Sequence, residues 1–160
     1  MFGKAVLLIC LATVAAAQTD APKLPAGLSE PEARSIQKEQ GVNGHVKAAI
    51  RVADARLLTA GKLADAGGYG DALTSLKLYG ALLSYADAHA RQLPPSAKKD
   101  RNKCLKELEQ AIFKQQRPLE ATRRELPFDY REQTDVLIET LKQLRLRALD
   151  DVLGDGKMIK

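Results

Sequence analysis

Two helix-forming stretches on either side of one glycine-rich turn constrain this chain most. From Val46 to Ala66 and from Asp71 to Leu93, apolar residues recur every three or four positions, which places each set along one side of an α-helix. The break between them is Gly67-Gly68-Tyr69-Gly70, which ends the first helix and leaves Asp71 to cap the second. Because neither apolar stripe is stable in water, the two helices are predicted to pack against each other and against further helices.

The rest of the chain supplies helices with the same pattern. Ser29-Glu30-Pro31-Glu32 matches a capping box, so the first helix is predicted to begin there. This helix is expected to be bent near Gly41-Gly44, or to divide there into two shorter helices. A third helix, from Ala97 to about Arg124, is predicted to be kinked near Pro118, and a fourth runs from an N-cap at Asp129 to Gly154. Long helices joined by short turns predict an all-α fold, an antiparallel up-down-up-down four-helix bundle with coiled-coil-like packing.

The first residues of the chain have the features of an export signal. Lys4 precedes an uncharged run from Ala5 to Ala17 that ends in small residues, which matches a secretory signal peptide. The run is shorter than the roughly 20 apolar residues of a bilayer span, so cleavage is favoured over the alternative of a retained membrane anchor. The predicted organisation is a signal peptide (1–17), a flexible tether (18–28), a helical bundle domain (29–154) and a frayed C-terminus (155–160). The predicted location is periplasmic or secreted, with no stable membrane span after cleavage.

The composition favours a helical core and excludes some classes of protein. The chain has no Trp, three Phe and four Tyr, so Ala and Leu must form the core, which favours close helix packing over a β-sandwich. Loss of Lys4 with the signal lowers the net charge from +5 to +4, and no nucleic acid partner is expected at this charge. Cys104 alone then remains, so no intramolecular disulfide forms. Its position on an apolar stripe predicts a small buried hydrophobe rather than a redox thiol.

The third predicted helix carries the excess of positive charge. Between residues 98 and 124, nine basic residues face four acidic ones, an excess of +5. This pattern favours contact with an anionic partner such as lipid head groups, a cell-wall polymer or an acidic protein. The alternative is a solvated helix face that keeps the protein soluble. The predicted binding residues are Lys99, Arg101, Lys103 and Lys106.

The two histidines are the candidate metal ligands. If the hairpin turns near Gly68, His45 lies within about one helical turn of His89, and two imidazoles there could share a metal or ligate a haem. The alternative is that both are partly exposed residues on the helix flanks. No inward Glu-x-x-His pair accompanies them, and no haem-attachment motif includes Cys104. Metal or haem binding is therefore the second hypothesis, and no cofactor is expected under the first.

No catalytic motif points to an enzyme. There is no nucleophile elbow, no zinc-protease motif and no inward carboxylate pair. The turn at residues 67–73 resembles the Gly-x-Tyr-x-x-Ala-Leu of tetratricopeptide repeats, but Tyr79 stands where that repeat has a small residue, and no second copy follows. The sequence therefore predicts an exported, non-enzymatic binding or structural protein of the cell envelope. Its expected partner is an unknown envelope protein or an anionic surface. The second helix carries a second apolar row, Leu78, Leu82 and Tyr85, beside its main stripe, and these two rows also suit a homo-oligomer.

Overall fold

The computed structural model describes residues 21–154, and over that range every regular element is helical. The elements are α1 (Glu30–Gln37), α2 (Gly41–Asp65), α3 (Tyr69–Arg91), a short 3-10 turn (Pro95–Ala97), α4 (Lys98–Glu125) and α5 (Phe128–Leu153). The all-α prediction is therefore confirmed. None of these helices is long and apolar enough to cross a membrane. The predicted signal peptide and the predicted frayed C-terminus lie outside the described residues.

The first predicted helix divides rather than bends. α1 ends at Gln37, and α2 begins at Gly41, whose φ of +71° is readily available only to glycine. The Glu32 carboxylate accepts a hydrogen bond from the backbone N–H of Ser29 at 2.8 Å, as the capping box predicts. The same carboxylate accepts a second hydrogen bond, from Nε of Arg56 in α2, at 2.6 Å. One glutamate therefore both starts α1 and holds it against α2.

Two helix starts differ from the predicted ones. Gly68 is the N-cap of α3 and Pro127 is the N-cap of α5. Asp71 and Asp129 therefore lie in the first helical turns instead of capping them, where a carboxylate still interacts favourably with the helix dipole. α4 runs without interruption through Pro118 to its last residue.

Two helical hairpins share one hydrophobic core. α2 packs along α3, α4 packs along α5, and contacts of α2 with α4 and of α3 with α5 join the hairpins. α3 is the most buried helix, with fourteen of 23 residues buried compared with eight of 25 in α2. At Gly80 of α3, a Cβ would collide with the side chain of Leu137 in α5. Gly80 thus lets α3 approach α5 closely, and α3 contacts α2, α4 and α5.

Candidate functional site

The exposed side of α4 is a continuous row of positive charge. The row, called here the basic face, consists of Lys99, Lys103, Lys106, Lys114, Arg117 and Arg124, all exposed. At 3.6 residues per turn they fall within about 80° of the helix circumference, and they extend about 38 Å along its axis. Between residues 101 and 124 of α4, no acidic residue is exposed. The face is therefore of one sign over almost the whole helix.

Two acidic residues in the middle of α4 pair with neighbouring helices. Glu107 Oε1 lies 3.5 Å from Nζ of Lys47 in α2. Glu109 Oε1 accepts a hydrogen bond from Nε of Arg145 in α5 at 2.8 Å. Within residues 21–154, no cation of the basic face belongs to an ion pair. Glu107 and Glu109 thus join α4 to α2 and α5, and the charge of the basic face is left facing solvent.

Three of the four binding residues predicted from the sequence lie on this face. Lys99, Lys103 and Lys106 are exposed there, spaced by four and three residues. Arg101 is half-buried and lies about 160° around the helix from Lys103. Its Nε is buried, with no hydrogen-bond partner in the described part of the chain. Sequence reasoning did not single out the other members, although the same spacing continues to them: Lys114, Arg117 and Arg124.

The exposed side of α5 carries the opposite charge. Its exposed acids are Asp129, Glu132, Asp135, Glu139 and Asp150, and its exposed bases are Lys142 and Arg147. Two of these acids already have partners, since Asp135 pairs with Arg123 and Glu139 lies 3.9 Å from Lys142. The hydrogen bond from Arg123 lowers the pKa of Asp135. The molecule therefore presents an uncompensated positive side next to a partly neutralised negative one.

His45 and His89 meet at one end of the α2–α3 hairpin. Their rings are stacked, with centroids 5.1 Å apart and planes within 8° of parallel, which confirms the predicted proximity. The Tyr85 ring lies 4.4 Å from that of His89, and its hydroxyl is 3.4 Å from Nδ1 of His45. Nδ1 of His89 is buried, with no hydrogen-bond partner among residues 21–154. The three rings thus form a small aromatic cluster with one unsatisfied nitrogen.

This cluster has fewer ligands than a protein zinc site. Protein zinc sites use three or four protein ligands, and two imidazoles supply at most two. Among residues 21–154, no group of three or more His, Cys, Asp or Glu side chains is placed to hold a metal ion. Metal or haem binding by His45 and His89 therefore stays a prediction, without a third protein ligand.

The histidine cluster predicts a pH-dependent stability. Burial lowers the pKa of His89, and the neighbouring His45 lowers it further. With a folded pKa below its ordinary value of 6.5, His89 binds fewer protons in the folded state than in the unfolded state, so protonation favours unfolding. We expect the free energy of unfolding to decrease as the pH falls through about 6.5 and to level off below the folded pKa. Urea titrations between about pH 8 and pH 5 measure this.

The variant His89→Gln identifies the group responsible. It removes the titrating ring and is expected to flatten the profile above about pH 5. A variant profile that still falls as steeply as that of the unmodified protein would assign the effect to another group.

Cys104 is a buried hydrophobe, as predicted. Its side chain is fully buried in α4, and Sγ lies 4.0 Å from Oδ1 of Asn43 in α2. Burial raises the pKa of the thiol, and the charges of Glu107 and Asp100 raise it further. A protonated, inaccessible thiol is a poor nucleophile, so Cys104 contributes packing rather than chemistry.

The chain matches no protein-family model, no curated protein and no solved structure.

Proposed function

We propose that this protein is an exported, non-enzymatic binding protein that attaches to an anionic lipid surface through the basic face of α4. The observation that carries the proposal is the row of six exposed cations without ion-pair partners in residues 21–154. The proposed location, periplasmic or secreted, rests on the predicted leader at residues 1–17. We also infer that α2 to α5 form one up-down-up-down four-helix bundle, because short connections reverse the chain between successive helices.

The energetics suit reversible attachment to a charged membrane. A Lys or Arg close to an anionic membrane surface contributes about 1 kcal/mol, and the six cations lie along one side of a single helix. No existing ion pair within the described chain has to break first. Salt screens charges over a Debye length of about 10 Å at 0.1 M, so the attachment is expected to weaken as salt rises.

One exposed aromatic residue favours lipid over the other anionic partners. Phe113 is 57% exposed and lies beside the basic cations of α4, where its ring contacts the Arg145 guanidinium at 4.7 Å. An aromatic ring is stabilised at the level of lipid head groups, and a hydrated polymer has no apolar layer to receive it. The acidic side of α5 in a second copy is a weaker partner, because Asp135 and Glu139 already have partners.

Co-sedimentation of the purified protein with lipid vesicles tests the proposal. We expect binding to vesicles that contain phosphatidylglycerol, with a decrease as salt rises from about 0.05 to about 0.5 M. Neutral phosphatidylcholine vesicles are the control, since they report any attachment by an apolar leader. Equal binding to the two vesicle types would overturn the electrostatic basis. Binding to soluble dextran sulfate without binding to vesicles would replace lipid by an anionic polymer.

The second candidate function is metal or haem binding by His45 and His89. The stacking of their rings, with centroids 5.1 Å apart, is the observation that favours it. A visible absorption scan and elemental analysis of the purified protein separate the two functions. A visible haem band, or one metal ion per chain that is lost in His45→Gln, would support this second function.

A further inference from the structure

A cleft lies between α4 and α5, next to the basic face. Its volume is about 520 Å³, which is within the range of about 300–1,000 Å³ typical of small-molecule sites. Helices α4 and α5 line its walls, and α3 contributes one residue. Five large apolar side chains form its floor and are more than nine-tenths buried: Tyr79, Ile112, Leu119, Ile138 and Leu141.

The one hydroxyl among these residues is already engaged. Tyr79 donates to Oε1 of Gln115 at 3.2 Å, and Nε2 of Gln115 donates to Oδ1 of Asp54 at 3.2 Å. Burial strongly raises the pKa of Tyr79, and the charge of Asp54 raises it further. The hydroxyl therefore stays neutral and bonded to Gln115. A ligand on this floor must present an apolar group, because a polar one would lose its hydrogen bonds to water.

The rim of the cleft is positive. Three exposed cations line it: Arg117 and Arg124 of α4 and Lys142 of α5. Among the described residues, the one acidic residue that lines the cleft is Glu120. Lys142 lies 3.9 Å from Glu139, and such an exposed pair contributes little. The rim therefore keeps a net positive charge for a ligand.

The register of the two helices brings one cation from each wall to within about one helical turn of the other. The ion pairs Arg123–Asp135 and Glu109–Arg145 fix how α4 and α5 align as antiparallel neighbours. On that alignment, Lys142 lies opposite about Lys114, within one helical turn of Arg117, and both Arg117 and Lys142 line the cleft. An anionic group between them meets one cation from each wall of the cleft, and Arg can bind carboxylate or phosphate in a bidentate manner.

We propose that this cleft binds an amphiphile with one apolar chain and one anionic head group, of which a fatty acid is the simplest. The chain lies on the apolar floor, and the head group lies between Arg117 and Lys142. This free-ligand site shares Arg117 and Arg124 with the basic face, but binding of a free ligand does not require membrane attachment.

Calorimetric titration with decanoate tests the ligand class. We expect one site per chain, and affinity that rises about threefold to fourfold for each added CH₂ from hexanoate to decanoate. Decyltrimethylammonium has the same chain and the opposite charge, and it is expected to bind at least about tenfold more weakly. Equal affinity for the two decyl compounds would overturn the role of the rim cations. Decyl phosphate, titrated in parallel, distinguishes a phosphate from a carboxylate head group.

Two variants locate the binding in the cleft. Ala121 is an exposed lining residue, so Ala121→Trp fills the cleft without changing the core, and it is expected to weaken decanoate binding by about tenfold or more. Ala88→Trp, on the exposed side of α3, is the matched control and should bind decanoate normally. Circular dichroism verifies that both variants are folded. Normal decanoate binding by Ala121→Trp would refute the assignment of the cleft.

Lys142→Gln separates this proposal from membrane attachment. Lys142 lies outside the basic face, so we expect about tenfold weaker decanoate binding, typical of a lost charged hydrogen bond, with vesicle binding unchanged. Unaltered decanoate affinity would remove Lys142 from the site. Failure of vesicle binding in the unmodified protein would instead concern only the membrane proposal.

Discussion

Replacement of Lys103, Lys106, Lys114 and Arg117 by Gln is expected to weaken binding to phosphatidylglycerol vesicles roughly a thousandfold at low salt. Each cation near an anionic surface contributes about 1 kcal/mol, and four together amount to about that factor. All four side chains are exposed, and none forms an ion pair within residues 21–154. The free energy of unfolding should therefore stay within about 0.5 kcal/mol of the unmodified value.

A second variant with the same loss of charge is the control for this result. It carries Gln at four exposed basic positions outside the basic face: Lys38, Lys62, Lys77 and Arg147. These cations do not share one surface, so we expect only a severalfold loss of vesicle binding. Equal losses in the two variants would mean that net charge, rather than the row on α4, drives attachment.

Leu76→Ala is expected to lower the free energy of unfolding by about 2–5 kcal/mol. Leu76 is fully buried in α3, the helix that contacts α2, α4 and α5. Truncation removes apolar contacts and leaves a cavity that the surrounding helices fill only in part. Urea unfolding at neutral pH, followed by circular dichroism, measures the loss.

Leu58→Ala is the matched control on α2. The same side chain is 58% exposed at this position, so truncation should change the free energy of unfolding by no more than about 0.5 kcal/mol. Losses of similar size at Leu58 and Leu76 would contradict the placement of α3 at the centre of the core.

The long helices and the histidine contact were predictable from the sequence. Most of the apolar positions predicted to form one stripe from Val46 onward are buried in α2, down to Ala64. In α3, both apolar rows are buried. A short turn between antiparallel helices fixes which residues lie opposite each other, so His45 could be placed near His89 before any coordinates. Local periodicity and turn length were sufficient for these features.

The helix boundaries were less predictable, because backbone geometry rather than side-chain chemistry sets them. The N-caps Gly68 and Pro127 lie three and two residues ahead of Asp71 and Asp129, the aspartates that match the capping preference. The glycines at positions 41 and 44 indicated that the first predicted helix is interrupted there. Whether it bends or breaks depended on the positive φ of Gly41, which the sequence does not show.

The basic face was predictable in part. A count of charges over the helix identified the excess but included Arg101, which lies off the face. The spacing of the exposed cations, continued from Lys106 to Lys114 and Arg117, would have separated the two sets. The sequence could not predict the ion pairs of Glu107 with α2 and of Glu109 with α5, because these pairs depend on how neighbouring helices align.

Paramagnetic relaxation of backbone amides by spin-labelled lipid tests the central claim most directly, because it reports which side of the protein approaches the membrane. With vesicles that contain phosphatidylglycerol and a head-group nitroxide, we predict the strongest broadening at residues 103–117 of α4. The exposed side of α3, around Ser84 and Ala88, should be broadened least. Broadening that is strongest on α3 or on the acidic side of α5, or that is uniform over the chain, would contradict attachment through the basic face.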